Sequence, residues 1–197
     1  MLVSLSSGKY QSRDTNNTFL LYSTGHKPNG GEIDASGQAI LPAKQTICYY
    51  DKRIKTTHAR QLAVADVYYS PIQTFYWYDK PSFSENEPEL EFWDKIPTAW
   101  DETKVLQGEP GQFITIARRK GKDWFIGTLT HNDARTVKIS FDFLPKGKKY
   151  IAKIYSDDPS VNTKTKVNVA ERKVDASVVL GVTLMASGGQ AIWIRPE

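Results

Sequence analysis

Cysteine is almost absent: Cys48 is the only one in 197 residues. No disulfide can therefore close within the chain, and no zinc site built from several cysteines is available. Histidine is nearly as scarce. His26, His58 and His131 fall in three separate stretches, a spread that does not read as a metal-ligand motif. Long apolar runs are missing as well, and none approaches the roughly 18 residues of a membrane-crossing helix. The opening Met1-Leu2-Val3-Ser4-Leu5 has no basic segment leading into an apolar core, so no signal peptide is expected. No GxSxG, P-loop, HExxH or strand-preceded GxGxxG occurs. Charge of one sign is not in strong excess either, since the net charge is +4. The basic residues gather in Arg118-Arg119-Lys120 and Lys146-Gly147-Lys148-Lys149. They read as solvated turn charges rather than as a face that would hold nucleic acid. Finally, the chain is too short for a complete (β/α)8 barrel, which needs about 250 residues.

What is present divides into three regions. Aromatic residues make up 12% of the chain, more than a disordered chain carries, and they need a core to occupy. Residues 1–45 are rich in Ser, Gly, Asn and Thr, with turn signals at Pro28, Gly30-Gly31, Ser36-Gly37 and Pro42. They read as an irregular segment with a short strand at Thr18–Tyr22. The spacing of Ala59, Leu62, Ala63 and Val67 predicts a helix over 56–76, capped by Thr56 or Thr57 and ended or kinked at Ser70-Pro71. An aromatic run follows, Phe75-Tyr76-Trp77-Tyr78, and then a second short helix over Glu89–Trp93.

From about residue 103 the period changes to two. Val137, Ile139, Phe141 and Phe143 alternate with polar residues, as do Val178, Leu180, Val182 and Leu184. Further strands are expected at Phe113–Ala117, Trp124–Leu129, Tyr150–Tyr155, Val167–Val169 and Ala191–Ile194. Turn signals such as Lys120-Gly121, Pro145-Lys146-Gly147 and Ser187-Gly188-Gly189 separate them. The fold class is therefore mainly β: an antiparallel β-sandwich of Greek-key type, preceded by a short α-containing segment.

Candidate chemistry is sparse. Hydrolysis of a glycosidic bond requires two carboxyl groups about 5–10 Å apart, and no convincing pair stands out. Glu85, Glu87, Glu89 and Glu91 recur at every second residue and read as a solvated linker. Asp66 lies four residues after Leu62 on the apolar helix face. Buried, it needs a partner or a raised pKa; at the edge, it reaches solvent or a backbone donor. Phe75–Tyr78 fits a packing seam better than a sugar-stacking platform. Trp124 and Trp193 would serve a carbohydrate-binding sandwich if exposed, but each sits in an apolar strand and points to the core.

Four ordered stretches carry a family resemblance. They are Thr56-Thr57-His58-Ala59-Arg60-Gln61-Leu62-Ala63 with Val67-Tyr68-Tyr69-Ser70-Pro71-Ile72-Gln73, then Pro97 to Leu106 running on through Gly108-Glu109-Pro110-Gly111. Next come Ile116-Ala117-Arg118-Arg119-Lys120-Gly121 with Trp124-Phe125-Ile126-Gly127, and last Gly188-Gly189-Gln190-Ala191-Ile192. Over residues 46–197 the sequence resembles the C-terminal part of glycoside hydrolase family 97, the α-glucosidases and α-galactosidases of bacterial polysaccharide-utilisation systems.

The resemblance implies three segments: an N-terminal piece 1–45, a remnant 46–102 like the last strand and helix of a catalytic barrel plus linker, and a C-terminal β-sandwich 103–197. It implies a structural or oligomerisation role with no complete active site, the alternative being a free-standing carbohydrate-binding module. The family's catalytic carboxylates and calcium ligands would lie upstream, so no cofactor is expected in this chain. Barrel geometry places Tyr49, Tyr50, Asp51 and Arg53 on the active-site rim as substrate-binding candidates. The partners implied are carbohydrate and either a second copy or a catalytic domain, with no nucleic acid and no membrane span. A periplasmic or secreted location is implied by the resemblance alone. Two further expectations follow. Residues from 103 onward should fold by themselves, and the helix should expose Leu62, Ala63 and Val67 as an apolar stripe for a partner.

Overall fold

In the computed structural model, residues 11–12, 19–20, 56–70, 77, 84 and 87–197 are described. The chain forms two compact units, Met1–Arg53 and Ile54–Glu197. In the first, β1 (Gln11–Ser12) pairs antiparallel with β2 (Phe19–Leu20).

The second unit opens with α1 (His58–Val67). A 3-10 turn at Pro88–Leu90 then leads into α2 (Glu91–Lys95). Eight strands follow: β3 (Glu102–Glu109), β4 (Phe113–Lys120), β5 (Asp123–Thr130), β6 (Arg135–Ser140), β7 (Tyr150–Asp157), β8 (Val167–Val174), β9 (Val179–Leu184) and β10 (Gly189–Pro196). Six of them make one antiparallel sheet in the order β3-β4-β5-β10-β7-β8, and β6 pairs with β9 in a second. The chain is mainly β, as its alternating stretches indicate.

Why the strands differ in sequence follows from what covers them. β5 and β10 lie in the middle of the large sheet and are buried on both faces. Their sequences, Trp124-Phe125-Ile126-Gly127-Thr128-Leu129 and Ala191-Ile192-Trp193-Ile194, accordingly contain no charge. β6 and β9 cover one face only, and their burial alternates residue by residue. Between the two sheets lies one core, in which Trp124, Ile126, Ala152, Ile154, Ile192 and Ile194 meet Val137, Ile139, Val182 and Leu184. The opposite face of the six-stranded sheet presents Phe125, Leu129, Tyr155, Ala191 and Trp193 to α1 and α2. The unit is thus layered helix, large sheet, small sheet.

Three expectations change. The helix ends at Val67 rather than at residue 76. Tyr68 is already extended (φ −74°, ψ 133°), and the carbonyls of Val67 and Tyr68 accept hydrogen bonds from the Arg118 guanidinium. Secondly, the apolar stripe of α1 is covered within its own chain: Ala59, Leu62 and Ala63 are fully buried against the sheet. Full burial of a side chain such as Leu62 stabilises by about 1.5–3 kcal/mol, and that energy is already used internally. Thirdly, β3 is a strand that the pattern does not announce. It is a polar edge strand with a bulge between Val105 and Gln107, which interrupts the period of two.

Candidate functional site

Tyr49, Tyr50, Asp51 and Arg53, the rim candidates, lie outside the described residues, as do His26, Cys48, Glu85 and three of the four aromatics of Phe75–Tyr78. Trp77 is described and is buried. It packs edge-on against His58 (4.6 Å) and Trp93 (5.0 Å), and its indole N–H donates to Glu87 Oε2 at 2.7 Å. That part of the aromatic run is a packing seam. His131 is exposed in the turn after β5. Among the described residues, no group of three or more His, Cys, Asp or Glu is arranged to hold a metal.

Glu87, Glu89 and Glu91 of the acidic run are not a solvated linker. Glu89 is buried and accepts from the Thr165 hydroxyl, and Glu91 pairs with Lys153 on β7. With Glu87 on Trp77, these bonds tie the 3-10 turn and α2 down to the sheet. The reason is local: Pro88 starts a helical turn, so the every-second-residue spacing no longer describes the geometry.

Where chemistry-bearing side chains do converge is along the seam between α1 and the sheet. At its start, Thr57 caps the helix, its Oγ1 accepting from the Arg60 amide at 3.2 Å. The Arg60 guanidinium donates to the carbonyls of Thr130 and, at 3.4 Å, of Gly188. Asp157 accepts from the Gly189 amide at 3.2 Å. Burial pushes its carboxyl up, while the Thr57 hydroxyl, neighbouring amides and Arg60 hold it down. The glycine pair is required here. A Cβ on Gly188 would lie 2.4 Å from Asp157 Oδ2, and one on Gly189 would lie 2.7 Å from Arg60 Cα.

At the other end sits Asp66, completely buried. Its Oδ2 accepts from the Gly127 amide at 2.8 Å. Burial raises its pKa well above the usual carboxylate range; the Arg118 charge and the Gly127 amide oppose this without cancelling it. Of the two readings for Asp66, the buried one, with a partner and a raised pKa, is realised, and the edge position is not. Gly127 itself permits the close approach, since a Cβ there would lie 2.6 Å from the Ala63 carbonyl oxygen and 2.8 Å from Val67 Cγ2.

Arg118, only 2% exposed, corrects the reading of Arg118-Arg119-Lys120 as turn charges. It lies on the helix side of β4, bonded to the carbonyls at the end of α1 and stacked 5.5 Å from the Trp100 ring centre. Arg119 and Lys120 do stay near solvent, paired with Asp101 and Glu102. Trp124 and Trp193 are 4% and 8% exposed. Both belong to the core, so neither is a sugar-stacking surface.

This arrangement fastens a helix to a sheet. Asp66 faces a backbone amide beneath the helix, and Asp157 faces Gly189 at the far end, so neither carboxyl addresses a shared open space. A cleft of about 510 Å3 does open beside the start of α1, lined by Arg60, Val105, Gln112, Ile114, Leu129 and His131 among others. Sequence reasoning passed over Arg60, Arg118 and Asp157. A glycine inside the apolar run of β5 was the available signal that another backbone comes close.

Thr57, Arg60, Arg118, Gly127, Gly188 and Gly189 of the seam fall within the ordered motifs, and Asp66 and Asp157 lie outside them. Residues 99–195 match the domain family described as "Glycosyl-hydrolase 97 C-terminal, oligomerisation". The strands therefore form a domain of the glycoside hydrolase family 97 C-terminal type. Over 111 residues the sequence is 40% identical to a "Retaining alpha-galactosidase" of Bacteroides thetaiotaomicron, a match spanning 56% of this chain and 16% of that protein. Among solved structures, a glycoside hydrolase family 97 enzyme from Pseudoalteromonas sp. strain K8, in complex with acarbose, superposes with a TM-score of 0.66 at 37% identity. That match covers 74% of this chain and 23% of the enzyme. A β-arabinopyranosidase superposes with a TM-score of 0.57 at 25% identity, over 71% of this chain and 21% of its own. The chain carries the C-terminal region of a glycoside hydrolase family 97 protein. It spans less than a quarter of the relatives named here.

Proposed function

We propose that this chain serves as the non-catalytic rear part of an α-galactosidase or α-glucosidase, holding a sugar-cleaving barrel in place and joining copies of the enzyme. On this reading residues 1–45 are a separate segment, 46–102 correspond to the end of the barrel with its linker, and 103–197 are the sandwich. Tyr49, Tyr50, Asp51 and Arg53 would then reach the rim of the substrate cleft. The catalytic carboxylates and the calcium ligands would be supplied from upstream of residue 46.

The observation that carries the proposal is the seam. The helix bearing the Thr56–Ala63 motif is fixed to the sandwich by the Thr57 hydroxyl on Asp157, by Arg60 and by Asp66, which is the attachment that a barrel's last helix needs to be held rigidly by the domain behind it. The buried carboxyls are committed to that attachment.

Two measurements test it. Aryl α-galactosides and α-glucosides should not be hydrolysed by this chain, with or without calcium; turnover that one carboxylate substitution abolishes would overturn the non-catalytic reading. Light scattering over a concentration series should show self-association.

A further inference from the structure

The open edges of the two sheets are not alike. β3 and β8 flank the large sheet, and β6 and β9 each have one unpaired side among the described residues. β3 carries Glu102, Lys104 and Glu109 and a bulge. β8 carries Glu171-Arg172-Lys173, and β6 carries Arg135 and Lys138. Charges and bulges keep an exposed edge from pairing with another chain. β9, Val-Leu-Gly-Val-Thr-Leu, has no charge and no proline, and its register with β6 is unbroken. It lies within residues 176–194, a run of 19 residues without Asp, Glu, Lys or Arg that is the longest in the chain. Burial in the large sheet accounts for that run at 189–194. It does not account for β9, where Val179, Gly181 and Thr183 face outward. Val179 is 59% exposed, and Met185 just beyond the strand is 40% exposed. A Cβ on Gly181 would meet nothing within 4 Å.

We propose that β9 is the edge through which two copies of this chain associate. β9 pairs antiparallel with β9 of a second copy across a two-fold axis, joining two two-stranded sheets into one of four strands. This deepens the oligomerisation reading above and rests on it. A second copy is the occupant for two reasons. A two-fold contact must be self-complementary, and a strand without charge can face itself without setting like charges opposite each other. The matched domain family is, moreover, described by oligomerisation. Backbone hydrogen bonds would hold the pair, with Val179 and Met185 adding apolar contact, so screening by salt should change it little.

The test is sedimentation analysis of the full chain alongside Val179→Lys, Thr183→Lys and, on the β3 edge, Thr103→Lys. All three positions are exposed, so unchanged circular dichroism and melting should attend each variant. The wild type should dimerise. Each β9 lysine should weaken dimerisation by more than about tenfold, because it sets a charge on an edge that otherwise carries none, whereas Thr103→Lys and added salt should leave it unchanged. In the wild type itself, the β9 amides should exchange more slowly with deuterium as concentration rises. Dimerisation that both β9 lysines leave intact, or β9 exchange that ignores concentration, overturns this interface while the oligomerisation reading stands. A wild type that remains monomeric at every concentration overturns both.

Discussion

The carboxylate of Asp66, in the last turn of α1, accepts a hydrogen bond from the backbone amide of Gly127 in the middle of β5 at 2.8 Å. This bond joins a helix to the centre of a strand whose other bonds run within the sheet, and it makes one titratable group sensitive to how closely the two layers sit. Burial raises the Asp66 pKa, so the folded chain holds this proton more tightly than the unfolded one. The contribution to stability is complete below the unfolded carboxylate value of about 3.9 and is lost as pH rises through the higher folded value. Asp66→Asn keeps an acceptor for Gly127 and has no proton to lose. Its stability should therefore decline less than the wild type's as pH rises from about 4. Urea midpoints across pH measure this, and parallel curves would exclude it. Asp66→Ala should instead cost about 1–3 kcal/mol by stranding the Gly127 amide.

Gly127→Ala should separate the helix from the sheet. The added methyl would meet the Ala63 carbonyl oxygen at 2.6 Å, and backbone cannot rotate aside as a side chain can. Overpacking of this kind costs about 1–3 kcal/mol. Chemical denaturation should register the loss, and an unchanged midpoint would mean that α1 shifts freely on β5.

Arg118→Met should unfasten the end of α1 without emptying the space the side chain fills. The carbonyls of Val67 and Tyr68 lose their donors, and hydrogen bonds to a charged group are worth about 1.5–3 kcal/mol each. Hydrogen exchange should rise in residues 64–70 while β6 and β9 stay protected. Equal change in both regions would count against a local role.

Removing residues 1–98 should leave Phe125, Leu129, Tyr155 and Trp193 without the α1 and α2 layer that covers them. Such a truncated chain is expected to bind an apolar dye strongly and to melt below the full chain. This replaces the expectation that residues from 103 onward fold unaided. A truncated form as stable as the full chain, with no dye binding, would restore that expectation.

The small sheet was legible because β6 and β9 are covered on one side, which leaves a period of two in the sequence. Trp124 and Trp193 were legible as core for a related reason, since a strand covered on both sides reads as an unbroken apolar run. Arg118 and Glu89 were not legible. Each stands among charged neighbours, and local composition cannot distinguish a residue whose chain passes beneath a helix from one at a hairpin tip. Helix length misled in the same way: Ser70-Pro71 marked a limit, but the true stop at Val67 is set by a guanidinium fifty residues later in the chain. The apolar stripe of α1 was expected to stand open for a partner, and the sheet of its own chain covers it instead.

The placement of β10 has a consequence for how the molecule comes into being. This strand is last in chain order, yet it stands between β5 and β7 in the middle of the large sheet. Until it is inserted, β3-β4-β5 and β7-β8 are two separate ribbons, and the floor on which α1 rests is incomplete. Every strand from β3 to β10 must therefore be made before the layers can lock, and the earlier strands must wait in a partly assembled state. Such late, long-range closure slows folding. It also means that losing residues 189–196 would remove the keystone rather than a fringe.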